Sequence, residues 1–506
     1  MKIFVVLLRF KMRIMSEKRD DSYSHVLKFT SLFGGVQVLS IMIGLVRNKA
    51  MALLLGASGM GFNALLTSMQ NFASQCTNLG ISFGAVPRLS ELHEHQDDVK
   101  LHYYVQVVRL WSMIAAVLGL LFCVIVSPLM NQLSFTWGDH TLHYAMLALA
   151  VAMIAITGGE TAIMKATRQL GKVAMAQILT VIATLIVSVP LYYFYGHSGV
   201  VPAIVLIAFA TMLITLFYSY RAFPFRFDFH RSMLREGAGM IRLGVAFVMA
   251  AAIGSASEVA IRAYLNVVGS MDDVGLYNVA FMITITYAGL VFSAMEADYF
   301  PRLSGVANDY EATNSIVNKQ IEVSLLLLAP MLVGLMMALP LLVPILFSNE
   351  FVPVVGMAQV AVLAMYFKVL TMPVAYITLA RRLSLSFLLL ESSYYVILVL
   401  AIVCCFQLWG LWGTGLAIVI AHVVENVLVI GYATWKYGYR ITSAVVRYAA
   451  VQVSIGFLAF AVTLLCEGAL YWITEAALTI VSTAYSIHVL RQKTHLWERL
   501  RSKFRI

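Results

Sequence analysis

The sequence is poor in charge. Asp, Glu, Lys and Arg make up 12% of its 506 residues, about half the quarter typical of soluble domains. Sixty-one per cent of the residues are hydrophobic and the mean hydropathy is +0.85. Such a chain does not fold around a soluble core. Cysteine is also scarce. Cys76, Cys123, Cys404, Cys405 and Cys466 are odd in number, lie in apolar runs and show no metal-type spacing. That excludes a disulfide framework and a thiolate metal centre, and leaves them as packing residues. No Walker phosphate loop is present, so the chain is not itself an ATPase. The longest polar segments, roughly 20 to 25 residues, hold no nucleophile–base set or metal cluster, so a membrane polymerase or ligase is not expected. No cofactor is implied.

The apolar residues come in repeated runs near the roughly 20 residues that cross a bilayer. They predict an all-α integral membrane protein with fourteen transmembrane helices, at about 26–46, 60–83, 105–127, 141–163, 173–195, 199–220, 241–265, 275–297, 322–346, 354–379, 385–406, 411–435, 444–466 and 468–490. With this count, all of the 35 Lys and Arg fall on one side except Arg47, Lys49, Arg262 and Lys368. The positive-inside rule then puts both termini in the cytoplasm. The net charge of +10 reflects this orientation and not a nucleic-acid partner. The opening stretch Met1 to Asp21 has no small-residue cleavage site and is not read as a cleaved signal, with Met12 and Met15 as alternative starts.

A shift of 214 residues aligns several blocks without gaps. Pro87-Arg88-Leu89-Ser90 matches Pro301-Arg302-Leu303-Ser304, Gly61 matches Gly275, and Gly196 and Gly199 match Gly410 and Gly413. Ala203-Ile204-Val205 matches Ala417-Ile418-Val419. The offset spans six helices, an even number, so the two halves would share one orientation, as in parallel-repeat transporters. The expected organisation is a basic N-terminus (1–25), a first lobe (26–221), a basic linker (222–240), a second lobe (241–436), two extra helices (437–490) and a basic tail (491–506).

The end of the first helix and the stretch after it, LVRNKAMALLLGASGMGFNALLTSMQ from Leu45 to Gln70, together with the two PRLS loops and the fourteen-helix count, resemble the multidrug/oligosaccharidyl-lipid/polysaccharide exporter superfamily. Within it the chain looks like the polysaccharide-transporter branch, which includes the O-antigen flippases, over about residues 24–490. The resemblance implies a multi-pass protein of the bacterial inner membrane. It implies that an undecaprenyl-diphosphate-linked oligosaccharide is turned from the cytoplasmic to the periplasmic leaflet while two lobes rock around a central cavity. A polysaccharide polymerase and chain-length machinery would be partners beside the lipid bilayer. A cation-coupled multidrug exporter on the same fold, or a flippase for a peptidoglycan precursor or an exopolysaccharide unit, stays open.

Charge inside a span is expensive and tends to face a cavity. Arg47, Lys49 and Arg262 end helices 1 and 7, and Lys368 lies mid-helix 10. These four are the candidates for the diphosphate, since guanidinium and ammonium groups pair strongly with phosphate oxygens. For the first three, snorkelling to the interface is the competing reading. Arg88 and Arg302 are candidates for the cytoplasmic entrance, or plain membrane anchors. Glu258, Glu296, Asp298, His422 and Glu425 are candidates for coupling to H+ or Na+, or for interhelical bonds, with His422 and Glu425 three apart on one helix face. Gln70, Asn71 and Asn78 are candidates for the glycan cavity, or helix-to-helix bonds.

Overall fold

The computed structural model describes residues 22–136, 138–225, 230–381 and 383–493, with side chains from 35 onward apart from a few within 242–247 and 287–298 and at 384. The opening stretch before Ser22 and the basic tail beyond Lys493 lie outside these residues, as do the side chains of Glu296 and Asp298.

Backbone amides in hydrocarbon must be satisfied within their own segment, which leaves a chain this apolar with helices. Among the described residues, fourteen follow one another: α1 (Ser22–Thr77), α2 (Ile81–Glu94), α3 (Asp98–Ser134), α4 (Thr141–Ala166), α5 (Leu170–Tyr195), α6 (Val200–Tyr220), α7 (Arg231–Val268), α8 (Met271–Phe281), α9 (Tyr287–Gly305), α10 (Tyr310–Leu346), α11 (Val354–Ala380), α12 (Ser384–Tyr437), α13 (Ser443–Leu465) and α14 (Gly468–Lys493). Among the described residues, ten helical stretches are long and apolar enough to cross a membrane. This is a multi-pass membrane protein.

Three of those ten, Gly35–Thr77, Leu170–Tyr220 and Leu385–Tyr437, run 43, 51 and 53 residues. At 1.5 Å per residue a straight helix of about 50 residues would measure about 75 Å, far beyond a hydrocarbon core of about 30 Å. Each folds back at a glycine with positive φ: Gly56 (65°), Gly196 (54°) and Gly410 (58°). A side chain would be strained there. Dividing these three leaves thirteen rods, and the interrupted helix from Met271 to Gly305, with a π segment at Met282–Thr286, makes the fourteenth.

The structure moves several expected boundaries. Helix 1 does not end at residue 46; it runs to the reversal at Gly56, so Arg47 and Lys49 lie inside it, more than a turn before its end. The basic stretch 222–240 is not all linker, because α7 already starts at Arg231. Arg109 of α3 is 4% exposed. It forms a two-pronged pair with Glu160 of α4, Nε–Oε1 2.8 Å and Nη2–Oε2 3.2 Å. Its Nη2 and Nη1 also donate to the carbonyls of Phe223 (2.8 Å) and Pro224 (3.3 Å), and Ser219 donates to Glu160 at 2.5 Å. The guanidinium lies 4.5 Å from the Tyr220 ring centre. A buried ion pair persists when its remaining hydrogen-bonding groups are also satisfied, and here they are. The clamp ties α3, α4 and α6 together.

The two halves meet tightly on the face that carries the three glycine reversals. A β-carbon on Gly61 would stand 2.1 Å from the carbonyl oxygen of Met271, and one on Gly275 would stand 2.0 Å from that of Ala57. Glu350 accepts the Ala57 backbone N–H at 2.9 Å, Lys49 donates to the Pro344 carbonyl at 3.1 Å, and Asn266 donates to the Ser134 carbonyl at 2.6 Å. Beside Ser134, the His140 ring stacks 4.1 Å from Phe135, and its Nδ1 lies 3.0 Å from that of His143. One ring donates and the other accepts.

Gly61→Val or Gly275→Val is expected to wedge this crossing apart and cost about 1–3 kcal/mol, read as a lower melting temperature of the solubilised protein. Burial and the charge of His143 hold His140 below its ordinary value of 6.5, against a smaller opposing effect of Asp139. The folded state therefore binds fewer protons here than the unfolded chain. The stability that His140 contributes above pH 6.5 is lost as pH falls below that value. Hydrogen exchange across residues 134–144, corrected for its intrinsic rate, should rise on acidification, and His140→Phe should remove that pH dependence.

Candidate functional site

Among the described spans, α11 is the most enclosed. Lys368 sits mid-helix with its Nζ 5.7 Å from the centre of the Phe292 ring. The charges that act on it are the carboxylates of Glu425 and Glu391, both on α12. α12 folds back at Gly410, which sets its two arms side by side. One arm carries Glu391, Tyr394 and Tyr395; the other carries His422, Glu425 and Asn426.

The two arms build a chain of proton-bearing groups. His422 Nδ1 lies 2.8 Å from Glu425 Oε2, and His422 Nε2 lies 3.3 Å from the Tyr394 hydroxyl. The imidazole and phenol rings stack at 4.8 Å. The imidazole is 3% exposed and the Glu425 side chain 14%. Carboxylate, imidazole and phenol in this order can pass or hold a proton, because each ring nitrogen takes either role depending on its partner. Asn426 donates to Thr371 of α11 at 2.9 Å, which fixes the second arm against α11.

α7 and α8 add the opposite wall. Arg262 pairs with Glu258 one turn away, Nη1–Oε2 2.8 Å, and its Nη2 donates to Asn278 Oδ1 of α8 at 3.3 Å. The Arg262 side chain is 8% exposed and that of Glu258 is 42% exposed. Tyr395 packs against Gly254 of α7, the helix of Glu258 and Arg262, so the arm of α12 that carries Glu391 lies beside that helix, and we treat the Lys368 and Arg262 groups together as one candidate cluster. It holds two cations and three carboxylates.

The other sequence candidates lie elsewhere. Arg47 Nη2 donates to the Tyr192 hydroxyl of α5 at 3.3 Å, and Lys49 is held by the Pro344 carbonyl of α10. Asn48, the repeat partner of Arg262, places its Nδ2 3.1 Å from the Met282 sulfur. Arg88 pairs with Glu91 at 2.8 Å and, on the face opposite the glycine reversals, lines a cavity of about 780 Å³ with Lys100, Tyr103, Tyr104 and Glu236. Arg302 lies in the last turn of α9. Asn78 spends both polar atoms locally: it donates to Gln75 (3.0 Å) and accepts the Gly80 N–H (2.8 Å). That turn closes α1. Gln70 is half-buried and Asn71 exposed.

Sequence reasoning paired His422 with Glu425 from their spacing. It missed Tyr394, Asn278 and Thr371, which come from other helix segments and carry no local signal. Among the described residues no group of three or more His, Cys, Asp or Glu is placed to hold a metal ion.

Solved structures share this architecture. An inward-closed structure titled lipid II flippase MurJ superposes with a TM-score of 0.69 at 11% identity, covering 91% of this chain and 99% of that one. An inward-facing multidrug resistance MATE family transporter of the MOP superfamily gives 0.66 at 14% identity, covering 79% and 94%. An outward-facing MATE structure gives 0.57 at 13%, covering 81% and 96%. No curated protein sequence matches the chain. The fold is the one seen in these transporter structures. A family model described as polysaccharide biosynthesis protein matches residues 50–356, and the chain belongs to that family.

Proposed function

We propose that the protein is a flippase that carries an undecaprenyl-diphosphate-linked oligosaccharide, an O-antigen or similar surface-polysaccharide repeat unit, from the cytoplasmic to the periplasmic leaflet of a bacterial inner membrane. Family membership over residues 50–356 carries the substrate class. The half-buried Lys368 and the buried Arg262 support it, because a diphosphate head group needs positive partners in a medium of low dielectric.

The machine would be two six-helix lobes in parallel orientation, 26–221 and 241–436, with helices 13 and 14 appended to the second and the segment 222–240 between them. Matched backbone supports the repeat. Gly196 and Gly410 have φ/ψ of 54°/−132° and 58°/−144°. A β-carbon on Gly199 would clash with the Leu191 carbonyl, and one on Gly413 with the Cys405 carbonyl; both pairs are 214 apart. Gly61 and Gly275 also meet each other as near-symmetric partners. Fourteen spans return the chain to its starting side, and the cation bias makes that side cytoplasmic. The seal around Gly61, Glu350 and Asn266 then lies on the periplasmic side, and the Arg88 cavity opens to the cytoplasm.

In this reading the head group enters between the lobes and meets Lys368 and Arg262. Glu425, His422 and Tyr394 take up or release a proton as the lobes rock, and Na+ coupling is the other form of the same idea. Arg47 and Lys49 would join the diphosphate site only on leaving their present partners. A second reading, a cation-coupled multidrug exporter, is favoured by one feature: carboxylates outnumber cations in the cluster, and two tyrosines flank them.

Removing the protein from its host should strand lipid-linked oligosaccharide in the cytoplasmic leaflet. Drug-stimulated cation flux through the purified protein, with no stranded intermediate, would instead select the exporter. Lys368→Gln and Arg262→Gln are each expected to abolish complementation while leaving membrane insertion intact. Full rescue by both variants would remove these cations from the mechanism.

A further inference from the structure

Among the described residues, one buried carboxyl belongs neither to the charged cluster nor to an ion pair. Glu475 of α14 is fully buried, and neither of its side-chain oxygens has a hydrogen-bond partner among the described residues. It belongs to the inward stripe of α14 formed by Tyr471, Glu475, Ser482, Ser486 and Val489. Its neighbours on that stripe are well served. The Tyr471 hydroxyl donates to the carbonyls of Met336 and Met337 on α10 and accepts from Gln359 of α11. Ser482 and Ser486 bond to Gln452 of α13.

Among the described residues, the titratable groups nearest Glu475 in charge are Tyr366 of α11 and Tyr471 of its own helix. The Tyr366 hydroxyl is committed to the Ala329 carbonyl at 3.2 Å. The charged pair that joins α14 to α10, Lys493 with Glu322, is eighteen residues further along α14, about 27 Å away. Among the described residues, no cation is therefore at hand to stabilise an ionised Glu475. An isolated carboxylate buried without partners costs so much that the group takes a proton instead.

We infer that Glu475 is a proton-binding site, separate from the Lys368 cluster, set where the α13–α14 hairpin docks on α10 and α11. With the hairpin docked, the acid is neutral. When the hairpin loosens and water reaches the group, the proton leaves to solvent and the carboxylate remains. Docking of the hairpin therefore takes up one proton, and raising the pH favours its release. This inference does not depend on the identity of the transported substrate.

Infrared spectra of the purified full-length protein test it, comparing wild type with Glu475→Gln at neutral pH. The variant should lose the carbonyl stretch of one protonated carboxylic acid. Loss of carboxylate intensity instead would overturn the proposal. A spin-label pair on α14 and α10 should report a hairpin distance that broadens as pH rises in wild type and stays narrow in Glu475→Gln. A distance equally pH-dependent in both would also overturn it. Should the variant fail to insert, wild type alone decides through dicyclohexylcarbodiimide, an apolar reagent for protonated carboxyls. Its adduct should map to Glu475 and diminish with rising pH; Glu475 left unmodified at acid pH while other carboxyls in the sample react would count against the site.

Discussion

Hydrocarbon does not solvate charge, and that constraint organises this molecule at every level. It accounts for the one-sided pattern of lysines and arginines expected from the sequence. It forces the few ionised groups that remain inside to find one another. Arg109 finds Glu160, Arg262 finds Glu258, and Lys368 feels Glu391 and Glu425. The two kinds of meeting differ. The Arg109 clamp is closed on all sides by Ser219, two carbonyls and an aromatic ring, and has nothing left to offer a ligand. The Lys368–Arg262 cluster keeps partial exposure at Glu258 and Glu425, and its ligands come from helices that could part.

Much of the fold was legible because membrane spans announce themselves by length and apolarity. The helix count and the 214-residue offset follow from local composition and from glycines whose role is stereochemical. Helix ends were less legible. Polar residues such as Arg47 and Lys49 read as a boundary, but a helix continues through polar residues when other helices supply partners, here Tyr192 and Pro344. The reversal was marked instead by Gly56.

The site was legible in half. His422 and Glu425 share a face by spacing alone, and the structure joins them at 2.8 Å. Tyr394 completes their chain from 28 residues away across the Gly410 reversal, a distance that local periodicity does not cover. The clamp at Arg109 left no local signal for the same reason, since its partner is 51 residues downstream. Glu475 gave no signal at all. One glutamate on a helix of modest hydropathy looks like a surface residue until α10, α11 and α13 close around it.

The clamp at Arg109 also has a mechanical side. By holding the carbonyls of Phe223 and Pro224, it fixes the first residues after α6. The start of α7 is held to the same half of the protein, where Trp111 donates to the Met233 carbonyl and Tyr103 meets Ser232. Only about seven residues lie between these anchors, a tether no longer than about 25 Å. The far end of α7 carries Glu258 and Arg262 and packs at Gly254 against Tyr395. One helix is thus bolted at its base to the first half, while its far end is held by both: Gly254 and Tyr395 to the second, Asn266 and Ser134 to the first. Any swing of one half against the other loads α7 like a leaf spring, and the bending has to be taken up along its middle, between Gly244 and Gly254.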